Sequence, residues 1–383
     1  GLITGSSAAG AAGNGITINS DGNHIYNQGK IVGTGAKSGI SINDTSGSAD
    51  DNTMENFGTI TGAGTTAIGG GIDIGSNASG TAIENYSIIG TATVGAAAIG
   101  STIAIRTSSA VQVTNYGTGT IEGVNYGLHF VSGSTGSKLY NYGIIKGTST
   151  AGSAMAQETA TVGTAVYVVG ADIAVYNYVD DFGTPTPGVI QGSATGGGQG
   201  IRFNGDDVSG STVENYGTIM SSSNRPAITS RSSEVDITNY GTIRATGTSA
   251  ISAIRYYING ADGQITNNGT IEATVGSGIL IEDGAVVIRN LSDANGRGMI
   301  IGGTSNTTAG IELRAGGTIE NYGDISRSAP AGRGIITSSA TAPATFTNGY
   351  SGVVTGTVTL SDAANSVIFE AGSKITGNGA NFN

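Results

Sequence analysis

The sequence has no cysteine and no tryptophan, five prolines, two histidines and only 11% charged residues. Without cysteine there are no disulfides to staple a fold. The same absence suits a chain that must stay unfolded until it has crossed a membrane, although many cytosolic proteins also lack cysteine. The two histidines, His24 and His129, leave almost no room for imidazole catalysis. Basic residues are scattered singly and the formal net charge is −11. That balance disfavours nucleic acid and anionic membrane surfaces, both of which need clustered Lys or Arg. No apolar run approaches the ~18 residues of a membrane span, so no direct membrane insertion is expected. The first residues, Gly1-Leu2-Ile3-Thr4, show neither a basic n-region nor an apolar h-region. The expectation is a cytosolic chain, or the mature or excised part of an exported precursor. Helix is nearly excluded as well. Few stretches avoid Gly and β-branched residues for long enough, and the best of them, residues 151–159, has no amphipathic period.

What is abundant is glycine, 67 of 383 residues. It follows no G-X-Y period, which excludes collagen. A hydrophobic fraction of 37% with so little charge excludes a disordered polymer. An ordered chain with very frequent turns remains.

Those turns recur. The motif is apolar-x-Asn-aromatic-Gly-x-Ile, as in Met54-Glu55-Asn56-Phe57-Gly58-Thr59-Ile60 and Val213-Glu214-Asn215-Tyr216-Gly217-Thr218-Ile219. It returns in the segments centred on Asn239 and Asn321, and in looser form at Asn27, Asn85, Asn115, Asn141, Asn177, Asn267, Asn290 and Asn348. Twelve anchors at a mean spacing of 29 residues cover the whole chain, which indicates a solenoid. An apolar residue stands two positions before every anchor, from Ile25 to Phe346, and a period of two puts it on the Asn face of a strand. The Asn therefore points inward at a corner, or sits in the turn itself. Inward amides from successive coils can stack and satisfy corner peptide groups that would otherwise be buried unpaired. The glycine two positions on (Gly29, Gly58, Gly117, Gly143, Gly217, Gly241, Gly269 and Gly323) is expected to supply a positive φ. Ile31, Ile60, Ile89, Ile145, Ile219, Ile243, Ile271 and Ile325 then open the next strand. Between anchors lies Gly-Ile-x-apolar, as in Gly39-Ile40-Ser41-Ile42 and Gly310-Ile311-Glu312-Leu313.

Three short strands per coil follow. The expected fold is all-β: one right-handed, three-faced parallel β-helix of about 12–13 coils with roughly 29 residues per coil, right-handed because parallel crossovers strongly prefer that hand. It is expected to occupy 1–383 as one domain, with an N-terminal segment 1–18, repeat coils 19–356 and a terminal coil 357–383. Twelve coils at ~4.8 Å would make a rod of roughly 60 Å. Residues 149–164 and 180–187, in the two longest coils, are expected to be extruded loops, and 192–200 another Gly-rich turn.

These repeats resemble the passenger β-helix of bacterial autotransporters and related large surface adhesins, whose coils read apolar-x-Asn-x-Gly-x-Ile in Gly/Ser/Thr-rich, acidic, cysteine-free chains. The likeness covers residues 25–356. It implies an exported, non-enzymatic rod on the bacterial cell surface, acting in adhesion, self-association or filament and surface-layer formation. Its partners would be other copies of itself, or a glycan or protein on a host or neighbouring cell. The leader and the C-terminal β-barrel of that family have no counterpart in residues 1–383, so the resemblance implies the exported segment alone.

Other chemistry is weighed against that reading. Polysaccharide-cleaving β-helices use paired carboxylates, and three adjacent pairs occur, Asp50-Asp51, Asp180-Asp181 and Asp206-Asp207. Asn204-Gly205-Asp206-Asp207 faintly resembles the Asp-Asp motif of pectin-cleaving hydrolases, but the Gly-His-Gly and Arg-Ile-Lys partners are missing. A carbohydrate-active enzyme is thus the alternative. No catalytic residue, cofactor or metal is assigned, since Asp is at home in turns and the Gly-Gly-x-Gly-x-Asp repeat of Ca²⁺ solenoids is absent. The residue after the Asn is aromatic in eight coils: Phe57, Tyr86, Tyr116, Tyr142, Tyr178, Tyr216, Tyr240 and Tyr322. Stacked coils would align these rings as a glycan- or protein-binding stripe, or as a ladder that stiffens the corner, which is the favoured reading. His129, between Leu128 and Phe130, is expected to point outward.

Overall fold

The computed structural model describes the chain except residues 6–12, 36, 44–47, 63–69, 92–102, 150–162, 181–184, 194–196, 206–207, 233, 250, 258–262, 295, 330–331, 338–341, 361–364, 378–379 and 383. Among the described residues there is no helix, and every regular element is a strand of two to five residues. The chain forms two compact units, Gly1–Arg202 and Phe203–Asn383.

In the first unit the chain winds repeatedly round three parallel sheets. One sheet collects the strands that end at the repeat Asn, from His24–Asn27 to Ala174–Asn177. The second collects the strands just after it, from Leu2–Thr4 to Val189–Gly192. The third collects the Gly-Ile-x-apolar strands and their equivalents, from Ile16–Ile18 to Thr164–Val168. The second unit repeats the plan, with sheets running from Thr212–Asn215 to Ser366–Phe369, from Thr218–Ser221 to Lys374–Thr376, and from Ile228–Ser230 to Ala380–Phe382. Each unit is a three-faced parallel β-solenoid.

Strand side chains alternate in and out, and like lies over like. Met54 is in register with Ile25 and Ile83, and Ile237 with Val213 and Ile265. The residues two before the Asn are buried from Met54 to Phe346, as are the eight isoleucines expected to open the following strands. The apolar pairs of the Gly-Ile-x-apolar motif, among them Ile40 and Ile42, and Ile311 and Leu313, complete each core layer. Where a coil carries an insertion, the sequence spacing fails but the position survives. Ile121, Ile190 and Ile300 are buried in register with Ile89, Ile145 and Ile271.

The glycines two after the Asn correct an expectation. None of them has a positive φ; the left-handed glycines, such as Gly22, Gly80, Gly136 and Gly284, lie elsewhere in the coils. Close approach to backbone explains Gly29, Gly58, Gly143, Gly241, Gly269 and Gly323. A Cβ on Gly58 would collide with the Gly29 carbonyl one coil back, and one on Gly143, Gly269 or Gly323 with the carbonyl of Gly119, Gly241 or Gly298. Those carbonyls accept the first amide of the next coil's strand, as Thr59 N–H to Gly29 (2.8 Å) and Thr270 N–H to Gly241 (2.8 Å). The corner is thus a stack of bare backbone.

Of the expected loops, residues 150–162, 181–184 and 194–196 lie outside the described residues. Val179–Asp180 pairs antiparallel with Thr186–Pro187, a small hairpin inside the longest coil. A second hairpin, Ser292–Asp293 with Gly296–Arg297, has no signal in the spacing.

Candidate functional site

The most regular chemistry in the molecule is the buried amide column. In the first unit each Asn Nδ2 donates to the Oδ1 of the Asn one coil on: Asn27 to Asn56 (2.7 Å), Asn56 to Asn85 (2.8 Å), Asn85 to Asn115 (2.8 Å), Asn115 to Asn141 (2.9 Å) and Asn141 to Asn177 (2.7 Å). The second unit does the same with Asn215, Asn239, Asn267, Asn290, Asn321 and Asn348, at 2.7–2.8 Å. Each of these Asn residues ends its strand with a buried side chain. The second amide proton meets carbonyls on both sides; for Asn239 these are Gly241 and Thr270, both at 3.2 Å. Turning an amide round would set oxygen against oxygen, so all of them point one way. In the last coil of this sheet Phe369 stands in register with Asn348, and Asn348 donates instead to the Gly352 and Lys374 carbonyls.

The aromatic row lies just outside this column. Phe57 and Tyr86 stack at 4.4 Å with planes 7° apart, Tyr86 and Tyr116 at 4.2 Å and 6°, and Tyr216 and Tyr240 at 4.6 Å and 14°. Tyr26 joins one end of the first row and Tyr142 and Tyr178 the other, at 5.4–6.2 Å. In the second unit Asn268 and Leu291 stand where rings would continue, and Tyr322 contacts Tyr350 at 5.8 Å. In the parallel stacks ring faces cover ring faces. A sugar platform needs open faces, so this geometry suits a stiffening ladder. Burial, and then a hydrogen bond to Glu214, push the Tyr216 phenol up to about 12. Burial likewise raises Tyr86, helped by hydrogen bonds with Tyr116 and Glu84.

Of the three carboxylate pairs, the structure describes Asp50, Asp51 and Asp180. Asp50 serves its turn: its carboxylate accepts from the Ser79 amide (2.7 Å) and the Ser48 hydroxyl (2.8 Å), while its own amide donates to Asp21 (2.8 Å). Asp51 takes a left-handed φ of 54°, and Asp180 lies in the hairpin with Thr186. Asp181, Asp206 and Asp207 lie outside the described residues. Among the described residues no three His, Cys, Asp or Glu side chains gather as a metal site. His24 is exposed, with Nδ1 at 2.8 Å from the Thr53 hydroxyl.

The sequence reading passed over the outward row of the third sheet. In the first unit this row places Asp73, Arg106, His129 and Tyr167 in register on consecutive strands. Arg106 Nη1 donates to Asp73 Oδ1 at 3.0 Å. His129 is half-buried, and burial, followed by the nearby Arg106 charge, drives it down to about 3. In the second unit Glu282 bridges Arg255 (2.7 Å) and Arg314 (2.9 Å), Arg314 also holds Glu312 (2.9 Å), and Glu312 accepts from Ser277 (2.9 Å). The Arg255 guanidinium lies 3.7 Å over the Tyr257 ring. Thr229, Leu280, Glu312 and Ile336 face outward in this row yet are buried. The x of Gly-Ile-x-apolar (Ser41, Asp73, Leu280, Glu312) was the available signal.

No family model, curated protein or solved structure matches the chain.

Proposed function

We propose that this chain is the rod segment of an exported bacterial surface protein, non-enzymatic, acting through adhesion or self-association. The observation that carries this reading is the amide column. The buried amide that recurs from Asn27 to Asn177 and from Asn215 to Asn348 is committed to joining coil to coil. The resemblance of the repeats to autotransporter passengers, the acidic cysteine-free composition and the Gly/Ser/Thr-rich surface support export. The face-to-face rings favour a protein partner, or a further copy of the chain, over a stacked sugar.

Antibody raised against the chain tests the location on intact source cells. Labelling before permeabilisation, released by external protease, is the expected result. Labelling only after permeabilisation overturns it. Ultracentrifugation up to ~100 µM, well above the micromolar range of useful self-contacts, tests association. A strictly monomeric chain there would shift the reading to a foreign ligand. Turnover of acidic polysaccharide that is lost in Asp206→Ala would overturn the non-enzymatic reading.

A further inference from the structure

One polar group in the outward row of the third sheet is left unanswered by the fold. His129 sits in Tyr126–Phe130 with Arg106 in register on one side and Tyr167 on the other. Its imidazole packs on the Tyr126 ring at 5.0 Å and the Tyr167 ring at 4.9 Å, and these two phenols stack on each other at 4.8 Å. Both ring nitrogens are buried, and neither has a hydrogen-bond partner. A neutral imidazole carries one donor and one acceptor, and leaving them unmet away from water destabilises the closed form. A protonated imidazole carries two donors and a charge, with still less to receive them. The charge that acts on it is the Arg106 guanidinium, of like sign, whose counter-ion Asp73 faces Arg106 at 3.0 Å. The strands Tyr126–Phe130 and Thr164–Val168 and the turn at 131–137 contain no carboxylate.

We propose that His129 is an acid-labile latch: its protonation opens the strands Ile103–Thr107, Tyr126–Phe130 and Thr164–Val168 locally, while the amide column holds the same coils at another face. The depressed pKa of about 3 agrees with the cage. Its sign sets the window. The closed form holds the proton less well than the opened chain, whose imidazole titrates near 6.5. The closed form keeps its full advantage above about 6.5 and loses it as pH falls from there towards 3. Inside that window each pH unit multiplies the opening equilibrium by about ten. The response stays local because each coil contacts only its neighbours.

Hydrogen exchange of the full chain at pH 6.5, 5.5 and 4.5, corrected for intrinsic chemistry, is the test. In the wild type, opening of the 126–130 segment should rise by up to ~100-fold across those two units. In His129→Phe, which keeps the ring packing but takes no proton, most of that rise should vanish. The 237–243 segment of the second unit reports general acid effects. An equal rise in both proteins, or none in the wild type, overturns the proposal. Should His129→Phe fail to fold, proton NMR of His24→Asn reads the one remaining imidazole directly. A folded-state resonance that titrates near pH 6.5 refutes the latch, and one that stays neutral down to pH 4.5 supports it.

Discussion

Replacing Asn239 by Ala removes one link from the middle of the second amide column. The link donates to Asn267 Oδ1 (2.8 Å) and to the Gly241 and Thr270 carbonyls (3.2 Å each), and accepts from Asn215 Nδ2 (2.7 Å). Asn215 keeps its bonds to the Gly217 and Thr242 carbonyls, and Gly241 O keeps the Thr270 amide. The chief casualty is Asn267 Oδ1, a buried acceptor left without its donor. One such orphan costs ~1–3 kcal/mol and each lost neutral bond ~1 kcal/mol, so Asn239→Ala should cost about 3–4 kcal/mol. Asn239→Asp keeps the shape but turns an oxygen towards the carbonyls of Gly241 and Thr270. It should be the worse variant at neutral pH. It should recover partly in acid, because a carboxyl whose neutral form the fold favours loses stability as pH rises past its unfolded value of about 3.9. Urea denaturation combined with hydrogen exchange over 237–243 and 265–271 reads both the global and the local loss, which matters because solenoids need not unfold in one step. Thr238→Ala, outward on the same strand, is the control at under ~0.5 kcal/mol. An Asn239→Ala protein within ~1 kcal/mol of wild type, or an Asp variant no worse than Ala at neutral pH, would refute the argument.

Gly241→Ala should cost ~2–3 kcal/mol in a urea melt, because the added Cβ meets the Gly217 and Tyr216 backbone, which cannot swing aside; a neutral result would remove the close-approach account of the corner glycines. Tyr116→Ala should lose about 1–2 kcal/mol of stacking with Tyr86 and Tyr142 and leave glycan-array binding unchanged; lost sugar binding at equal stability would reverse the assignment of the row. Glu282→Gln leaves Arg255 and Arg314 without their shared anion and should cost ~1–2 kcal/mol, less in 1 M salt; equal loss at low and high salt would deny the charge network a role. For Tyr216 the raised value means that the closed form resists losing the phenol proton, so stability is full below pH 10 and falls as pH rises towards about 12; Tyr216→Phe should remove one tyrosine's worth of the late phenolate absorbance and leave the part due to other raised phenols such as Tyr86.

The solenoid was readable because one solution was repeated twelve times. Ile–x–Asn fixes which side of a strand faces in, and stacking like on like then sets the register, so the core and the amide column follow from spacing alone. Two things were not readable. The sequence shows glycine at the repeated position of Gly241 but not whether torsion or contact calls for it, since both depend on the coil behind. Likewise Asp73, Arg106, His129 and Tyr167 come from four coils with different flanking text, and only the stacked register makes them neighbours. Ile121, Ile190 and Ile300 failed the spacing test because insertions displaced them along the chain while leaving them fixed in space.

That last point bears on how such a chain can change. Within each unit successive anchors are separated by as few as 23 and as many as 36 residues, yet every coil returns its Asn to the same seat. The amide acts as a checkpoint that reads where a coil closes and ignores how long it took to get there. New segments can therefore be grafted into the arc between anchors without disturbing the coils above or below. The arc that holds the paired segments Val179–Asp180 and Thr186–Pro187 marks a natural port for a foreign epitope. Evolution has the same freedom: it can rewrite the outside of one coil at a time while the inner thread stays unchanged.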